Sequence, residues 1–313
     1  MRAARLYAPG DLRIEDVPRP EPGPGDVLVQ VEVALTDGTD LKTFRRGHPL
    51  LARESPAPFG HELCGIADGR RVVAANSAPC RECAGCARGE QCLALAFLAG
   101  AYAEWIVVPA RIAAVNLQRV PAGLPPEVAA LVEPLACCLH GVERAGVRAG
   151  DTVAVLGTGP FGLMLCACLA DAGARAIAVG GREERRALVP RFGGETGDGT
   201  GADIVIEAAG TAQAWADAVA LVRPGGTVLL FGGLARDERP PLDAYRAHYE
   251  ELTVRGAFHH TPTTVRAALA FLASGARPWA ELITHRVLLD ELPALFADPP
   301  RDLLKAAVYP NGF

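Results

Sequence analysis

The chain has 313 residues, half of them hydrophobic and 21% charged, enough apolar material for about two domains and too much for a disordered tail. A formal charge of −5 and an aromatic content of only 6% exclude a basic nucleic-acid face and a base-stacking platform. The first residues carry no apolar signal core, and Gly157, Gly159, Pro160 and Gly162 break the longest uncharged run, between Asp151 and Asp171. Neither a signal peptide nor a membrane span is expected. Nine cysteines without an export signal point to metal ligands or buried thiols in a reducing cytoplasm.

The stretch from Met1 to about Pro109 consists of short β-like runs punctuated by Gly and Pro. Val27–Val33 alternates with period two, and Ala103–Val108 is a second strand candidate. Pro18–Pro24 holds too many prolines for a helix or central strand and reads as a connecting loop. Beyond about Pro134 short apolar strands alternate with Ala-rich helical segments. Strands are expected at Thr152–Leu156, Ala176–Val179, Asp203–Ala208 and Thr227–Phe231, and helices at Phe161–Ala172, Glu183–Phe192 and Gln213–Val222. That alternation means βαβ units and a parallel sheet. After about His259 one helix, Thr263–Ser274, is followed by a return to β-like pieces.

Four cysteines, Cys80, Cys83, Cys86 and Cys92, fall within thirteen residues. Such a set can close a tetrahedral sulfur site around one Zn²⁺, a structural site with no open position. Val153–Gly162 reads as a strand running into Gly157-x-Gly159-x-x-Gly162 and then an apolar helix. Gly157 permits the tight turn, Gly159 lets the backbone approach a pyrophosphate, and Gly162 lets helix and strand pack closely. Pro160 and Phe161 lie in the same loop, where the helix N-terminus favours an anion. The second strand ends in Val179-Gly180-Gly181-Arg182, without the carboxylate that usually holds the ribose of NAD. The two glycines leave room, and Arg182 with Arg185 or Arg186 can pair with a 2′-phosphate, which favours NADP(H) over NAD(H). The alternative is that Glu183 serves the ribose and the arginines form a solvated face. His61 and Glu62 of Phe59-Gly-His-Glu62 can reach one metal if they sit at a turn, while Asp37 and Glu133 read in isolation as solvated loop carboxylates.

In their order along the chain these pieces resemble the zinc-dependent medium-chain dehydrogenase/reductase superfamily, the alcohol, polyol and threonine dehydrogenase group. Asp37-Gly-Thr-Asp40 is similar to its Cys-Gly-Ser/Thr-Asp motif, Gly60-His-Glu62 to its Gly-His-Glu, and Glu133-Pro-Leu135 to its Glu-Pro-Leu. The cysteine cluster, Leu156–Gly162, Glu207–Gly210 and Arg223–Gly226 match further family segments. The chain departs from the family in placing Asp37 where Cys is usual, and in a shortened cysteine lobe.

The resemblance implies an α/β protein with a GroES-like β-rich catalytic domain (1–133), a Rossmann coenzyme domain with a doubly wound parallel sheet (134–258) and a return to the catalytic domain (259–313). It implies metal-assisted hydride transfer between a small alcohol, polyol or sugar and a nicotinamide. Zn²⁺ would be held by Asp37, His61 and Glu62, with Glu133 as a fourth or intermittent ligand and Thr39 relaying the proton. Replacing thiolate by carboxylate makes such a site harder and less zinc-selective. By position, Phe44 and Trp105 are expected at the substrate pocket. The partners implied are a small-molecule substrate and further copies of the chain, as homodimer or homotetramer, with no nucleic acid and no membrane. Two other readings remain: an NAD-dependent threonine- or polyol-type dehydrogenase, and a nucleotide-binding sensor that has lost its catalytic metal.

Overall fold

The computed structural model describes residues 1–47 and 54–313. The chain forms two compact units, one of residues 1–134 together with 261–313, the other of residues 135–260.

The first unit is built on a seven-stranded sheet. Its order runs Leu117–Arg119, Arg70–Ala74, Glu62–Ala67, Val27–Leu35, Lys305–Tyr309, Ile283–Leu288, with Trp105–Val108 also pairing Val27–Leu35. The alternating run read from Val27 forms the central strand and extends to Leu35, with Val29, Val31 and Val33 fully buried. Leu35 lies opposite Glu62 on one side and opposite Ala307 on the other. Two segments some 240 residues apart are thereby fixed beside each other, across one strand. Gly65 is required at this centre, because a Cβ there would sit 2.2 Å from the carbonyl oxygen of Gln30 on the neighbouring strand. An aromatic cluster of Phe44, Phe59, Tyr102 and Phe296 fills the core alongside.

The second unit carries a six-stranded, wholly parallel sheet. Its order is Glu195–Thr196, Arg175–Val179, Thr152–Leu156, Ala202–Glu207, Val222–Leu230, Thr253–Gly256. The chain winds outward from Thr152–Leu156 in one direction and then resumes on its other side, so the strand order reverses between Leu156 and Glu207. Ligands of such sheets bind at the carboxyl ends of the strands at that switch point. The helix expected over Glu183–Phe192 is divided: Glu183–Arg186 is α-helical and Val189–Phe192 is a 3₁₀ turn. Pro190 lacks the N–H that would continue the helix, and its ring opposes the preceding turn.

Gly65→Ala is expected to force the Val27–Leu35 and Glu62–Ala67 strands apart and to cost about 1–3 kcal/mol, as overpacked cores do. Urea unfolding followed by circular dichroism measures it.

Candidate active site

Asp37 caps the Gly38–Arg46 helix. Its Oδ1 accepts the Asp40 N–H at 2.8 Å, and the Asp40 carboxylate closes a capping box by accepting the Asp37 N–H at 3.3 Å. This leaves Asp37 Oδ2 free to point across the gap toward His61 Nε2, 3.8 Å away. His61 follows Gly60, whose φ of +86° makes a turn in front of the Glu62–Ala67 strand. The turn is what lets the adjacent His61 and Glu62 serve one site. Asp37, His61 and Glu62 are all buried, and each offers a ligand atom within 4.8 Å of the others.

The other face of the imidazole is fixed. His61 Nδ1 lies 2.9 Å from Asp40 Oδ1, the arrangement that orients a metal-binding histidine and leaves Nε2 for the ion. Lys305 is fully buried and donates to both oxygens of Glu62, at 2.7 and 2.8 Å, and to the carbonyl of Thr36 at 3.1 Å. Glu133 is buried and close enough to act on the charges of His61 and Glu62, but it does not join the three residues grouped within 4.8 Å. Thr39 stands half-buried in the first helical turn, and its N–H supports the Asp37 carboxylate.

The electrostatics follow from this crowding. Burial raises the Asp37 carboxyl, but His61, Lys305 and two backbone N–H groups outweigh it and hold the group below the usual carboxylate range. Burial depresses the His61 imidazole, yet the charges of Asp40 and Asp37 push it well above its ordinary value. Burial likewise lowers the Lys305 ammonium, and Glu62 and Asp37 more than restore it. Burial, joined by the charges of Asp37 and Glu133, pushes the Glu62 carboxyl well above its ordinary range, against the pull of Lys305 and His61. This crowding of buried carboxyl groups and the nitrogen and oxygen donor set fit a divalent cation.

The cysteine lobe fits a metal on different grounds. Sγ separations of 3.6 Å (Cys92–Cys80), 3.9 Å (Cys80–Cys86) and 4.0 Å (Cys83–Cys92) match the edge of a tetrahedron with arms of about 2.3 Å. All four thiols are free of disulfides. Backbone N–H groups of Cys86 and Leu93 lower the Cys83 thiol to about 6, while burial raises Cys86 to about 11. Arg111 closes the neck of this loop. Its guanidinium donates to the carbonyls of Ala78 and Pro79, just before Cys80, and to that of Ala94, just after Cys92, and lies 4.0 Å from Cys92 Sγ.

In the second unit the Pro160–Asp171 helix starts from Gly159 with no side-chain cap, which leaves its first N–H groups available to an anion. Gly162 has no alternative, since a Cβ there would fall 1.9 Å from the Gly157 carbonyl oxygen. Pro160 and Phe161 begin that helix, with Phe161 edge-on to Phe231 at 5.4 Å. Gly180 and Gly181 both have positive φ. At Gly180 a Cβ would meet nothing within 4 Å, whereas at Gly181 it would strike Thr158 Oγ1. The tip of the second strand is thus open and carries no carboxylate. Arg182 and Arg185 follow at once, as N-cap and third residue of the Glu183–Arg186 helix.

Comparison with known proteins agrees with both units. Residues 23–122 match the alcohol dehydrogenase GroES-like domain, and residues 160–274 match the zinc-binding dehydrogenase domain. The chain is 31% identical to the erythritol/L-threitol dehydrogenase of Mycolicibacterium smegmatis, over 93% of this chain and 92% of that protein. It is 30% identical to the D-altritol 5-dehydrogenase of Agrobacterium fabrum, over 96% and 97% respectively. Among solved structures, a zinc-binding dehydrogenase of Sinorhizobium meliloti bound to NADP superposes with a TM-score of 0.88 at 32% identity, covering 99% of both chains. The fold is thus that of an oxidoreductase with a GroES-like unit and a Rossmann-like unit. The chain belongs to the medium-chain dehydrogenase/reductase superfamily, among its zinc-binding alcohol and polyol dehydrogenases.

Sequence reading did not assign Asp40, Lys305, Tyr102 or Arg111 to the sites. Asp40 stood inside the Asp37–Asp40 motif, and Lys305 was signalled only as one charge in the apolar run Leu304–Tyr309. Phe44 lies in the core against Phe296, and Trp105 is stacked beneath the Arg19 guanidinium at 3.6 Å. No helix among the described residues is long and apolar enough to cross a membrane.

Arg111→Met is expected to speed zinc loss from the cysteine lobe about tenfold, the lower end of what outer-shell partners contribute. Release to a chromogenic chelator reads this directly.

Proposed function

We propose that the chain is a metal-dependent dehydrogenase moving hydride between a polyol or sugar-type secondary alcohol and NADP(H). The observation that carries this reading is the buried, sulfur-free group of Asp37, His61 and Glu62, drawn together from two segments of the GroES-like unit. A divalent ion, zinc in this family, would supply Lewis acidity toward an alcohol oxygen when held there. Asp37 Oδ2 and His61 Nε2, 3.8 Å apart, would be the donor atoms toward such an ion, with Asp40 orienting the imidazole through Nδ1. Glu62 is the third donor, with part of its charge answered by Lys305. Glu133 would be a fourth or intermittent donor, since a further carboxylate held permanently would weaken the Lewis acidity of an ion there. Thr39, half-buried at the helix start, passes the proton toward solvent.

Polyol substrates are supported by the activities for which the erythritol/L-threitol and D-altritol relatives are named. NADP(H) is supported by the carboxylate-free Gly180–Gly181 corner beside Arg182 and Arg185, and by the NADP bound to the Sinorhizobium relative. The pyrophosphate would rest on the N-terminus of the Pro160–Asp171 helix, over Gly159.

Metal content and nicotinamide titration test the reading together. Two metals per chain are expected, with brief chelation removing one and sparing the cysteine site, and NADP⁺ binding more tightly than NAD⁺. A single metal that added zinc does not raise, together with no polyol-dependent change in nicotinamide absorbance, would favour a nucleotide-binding sensor instead. Arg182→Ala is expected to weaken NADP⁺ about tenfold, or about 1.4 kcal/mol, and to leave NAD⁺ nearly unchanged. Equal losses for both would return the ribose to Glu183. Glu133→Gln is expected to change either turnover or zinc affinity; no change in either would remove Glu133 from the site.

A further inference from the structure

We infer that Tyr102 is a positioning residue of the catalytic centre, setting the gap between the two segments that carry its ligands. Tyr102 is fully buried, and its single phenolic O–H is shared between Asp40 Oδ2 and the carbonyl of Leu35, the latter at 3.0 Å. Asp40 spends its other oxygen on His61 Nδ1. A continuous buried chain therefore runs from the Tyr102 hydroxyl through one carboxylate to the imidazole.

The same residue is strapped to the histidine segment through its backbone. Tyr102 N–H donates to the Phe59 carbonyl at 3.0 Å, and the N–H groups of Gly100 and Ala101 donate to the Gly60 carbonyl. The ring lies flat on Gly60, where any Cβ would fall 2.6–2.8 Å from its carbons. One end of Tyr102 thus grips the turn that presents His61. The other grips both the strand end that leads into Asp37 and the Asp40 carboxylate of the helix that Asp37 caps. These are the two sides of the 3.8 Å gap between Asp37 Oδ2 and His61 Nε2.

A phenylalanine would fill the same volume and keep the ring contacts with Phe59 and Phe296. It would lack the hydroxyl that ties the two sides together. Orienting groups of this kind change metal affinity by about 10–100-fold.

The inference rests on the proposal that Asp37, His61 and Glu62 hold a metal, and the experiment separates the two. Full-length protein is stripped of its weaker metal by brief chelation and titrated with Zn²⁺ by calorimetry, as wild type, Tyr102→Phe, Asp40→Asn and the double variant. Tyr102→Phe is expected to bind this Zn²⁺ at least tenfold more weakly, with no further loss when added to Asp40→Asn. That non-additivity marks action through the carboxylate, which a merely space-filling ring would not show. Affinity equal to wild type, or the same loss on both backgrounds, overturns the role of Tyr102 and leaves the metal site standing. A wild-type chain that takes up no second metal overturns both.

Discussion

The buried ion pair between Lys305 and Glu62 is the constraint on which the catalytic unit turns. Two charges have been taken wholly out of water, and such pairs are tolerated only with close geometry and every polar atom answered. Here the geometry is close: both carboxylate oxygens accept from Nζ, and the ammonium reaches the Thr36 carbonyl as well. Thr36 also accepts the Ala306 N–H on its hydroxyl at 2.8 Å and donates its own N–H to the Ala306 carbonyl at 3.0 Å. The strand that brings Lys305 is therefore stitched to the residue just before Asp37. Sheet register and site charge are fixed by the same few atoms.

The exchange of a thiolate for Asp37 is consistent with this surrounding. A carboxylate has two oxygens, and Asp37 uses one for the helix cap and the other for the site. A thiolate offers a single acceptor for both tasks. Among the described residues this unit thus carries one candidate ligand group of four sulfurs and another of nitrogen and oxygen alone. Soft and hard donor sets sort ions differently, so the two places do not compete on equal terms.

Features encoded within a few residues were legible in the sequence. The cysteine spacing, the Gly157–Gly162 fingerprint and the βαβ alternation are local, because a turn, a phosphate cradle or a tetrahedron is built from neighbours. Asp37 and His61–Glu62 were legible as motifs, but their meeting depends on pairing of the Val27–Leu35 and Glu62–Ala67 strands. The residues that support them were hidden for the same reason. Lys305 reaches Glu62 across 243 positions and Tyr102 reaches Asp40 across 62, and no periodicity carries such a relation. The divided helix over Glu183–Phe192 is a different kind of miss, since Pro190 was visible and helical composition outweighed it.

The two units also differ in how the chain supplies them. Residues 135–260 form their unit from one uninterrupted stretch, whereas the catalytic unit takes residues 1–134 and 261–313. During synthesis the nucleotide unit therefore has all its strands in hand first, while Glu62 waits for a counter-charge that lies eight residues before Phe313. The carboxylate-rich cluster is therefore closed only after residues 135–260 have been made. Until the Lys305–Tyr309 strand follows, the nascent chain holds every strand of the parallel sheet while the Glu62 carboxylate lacks its counter-charge.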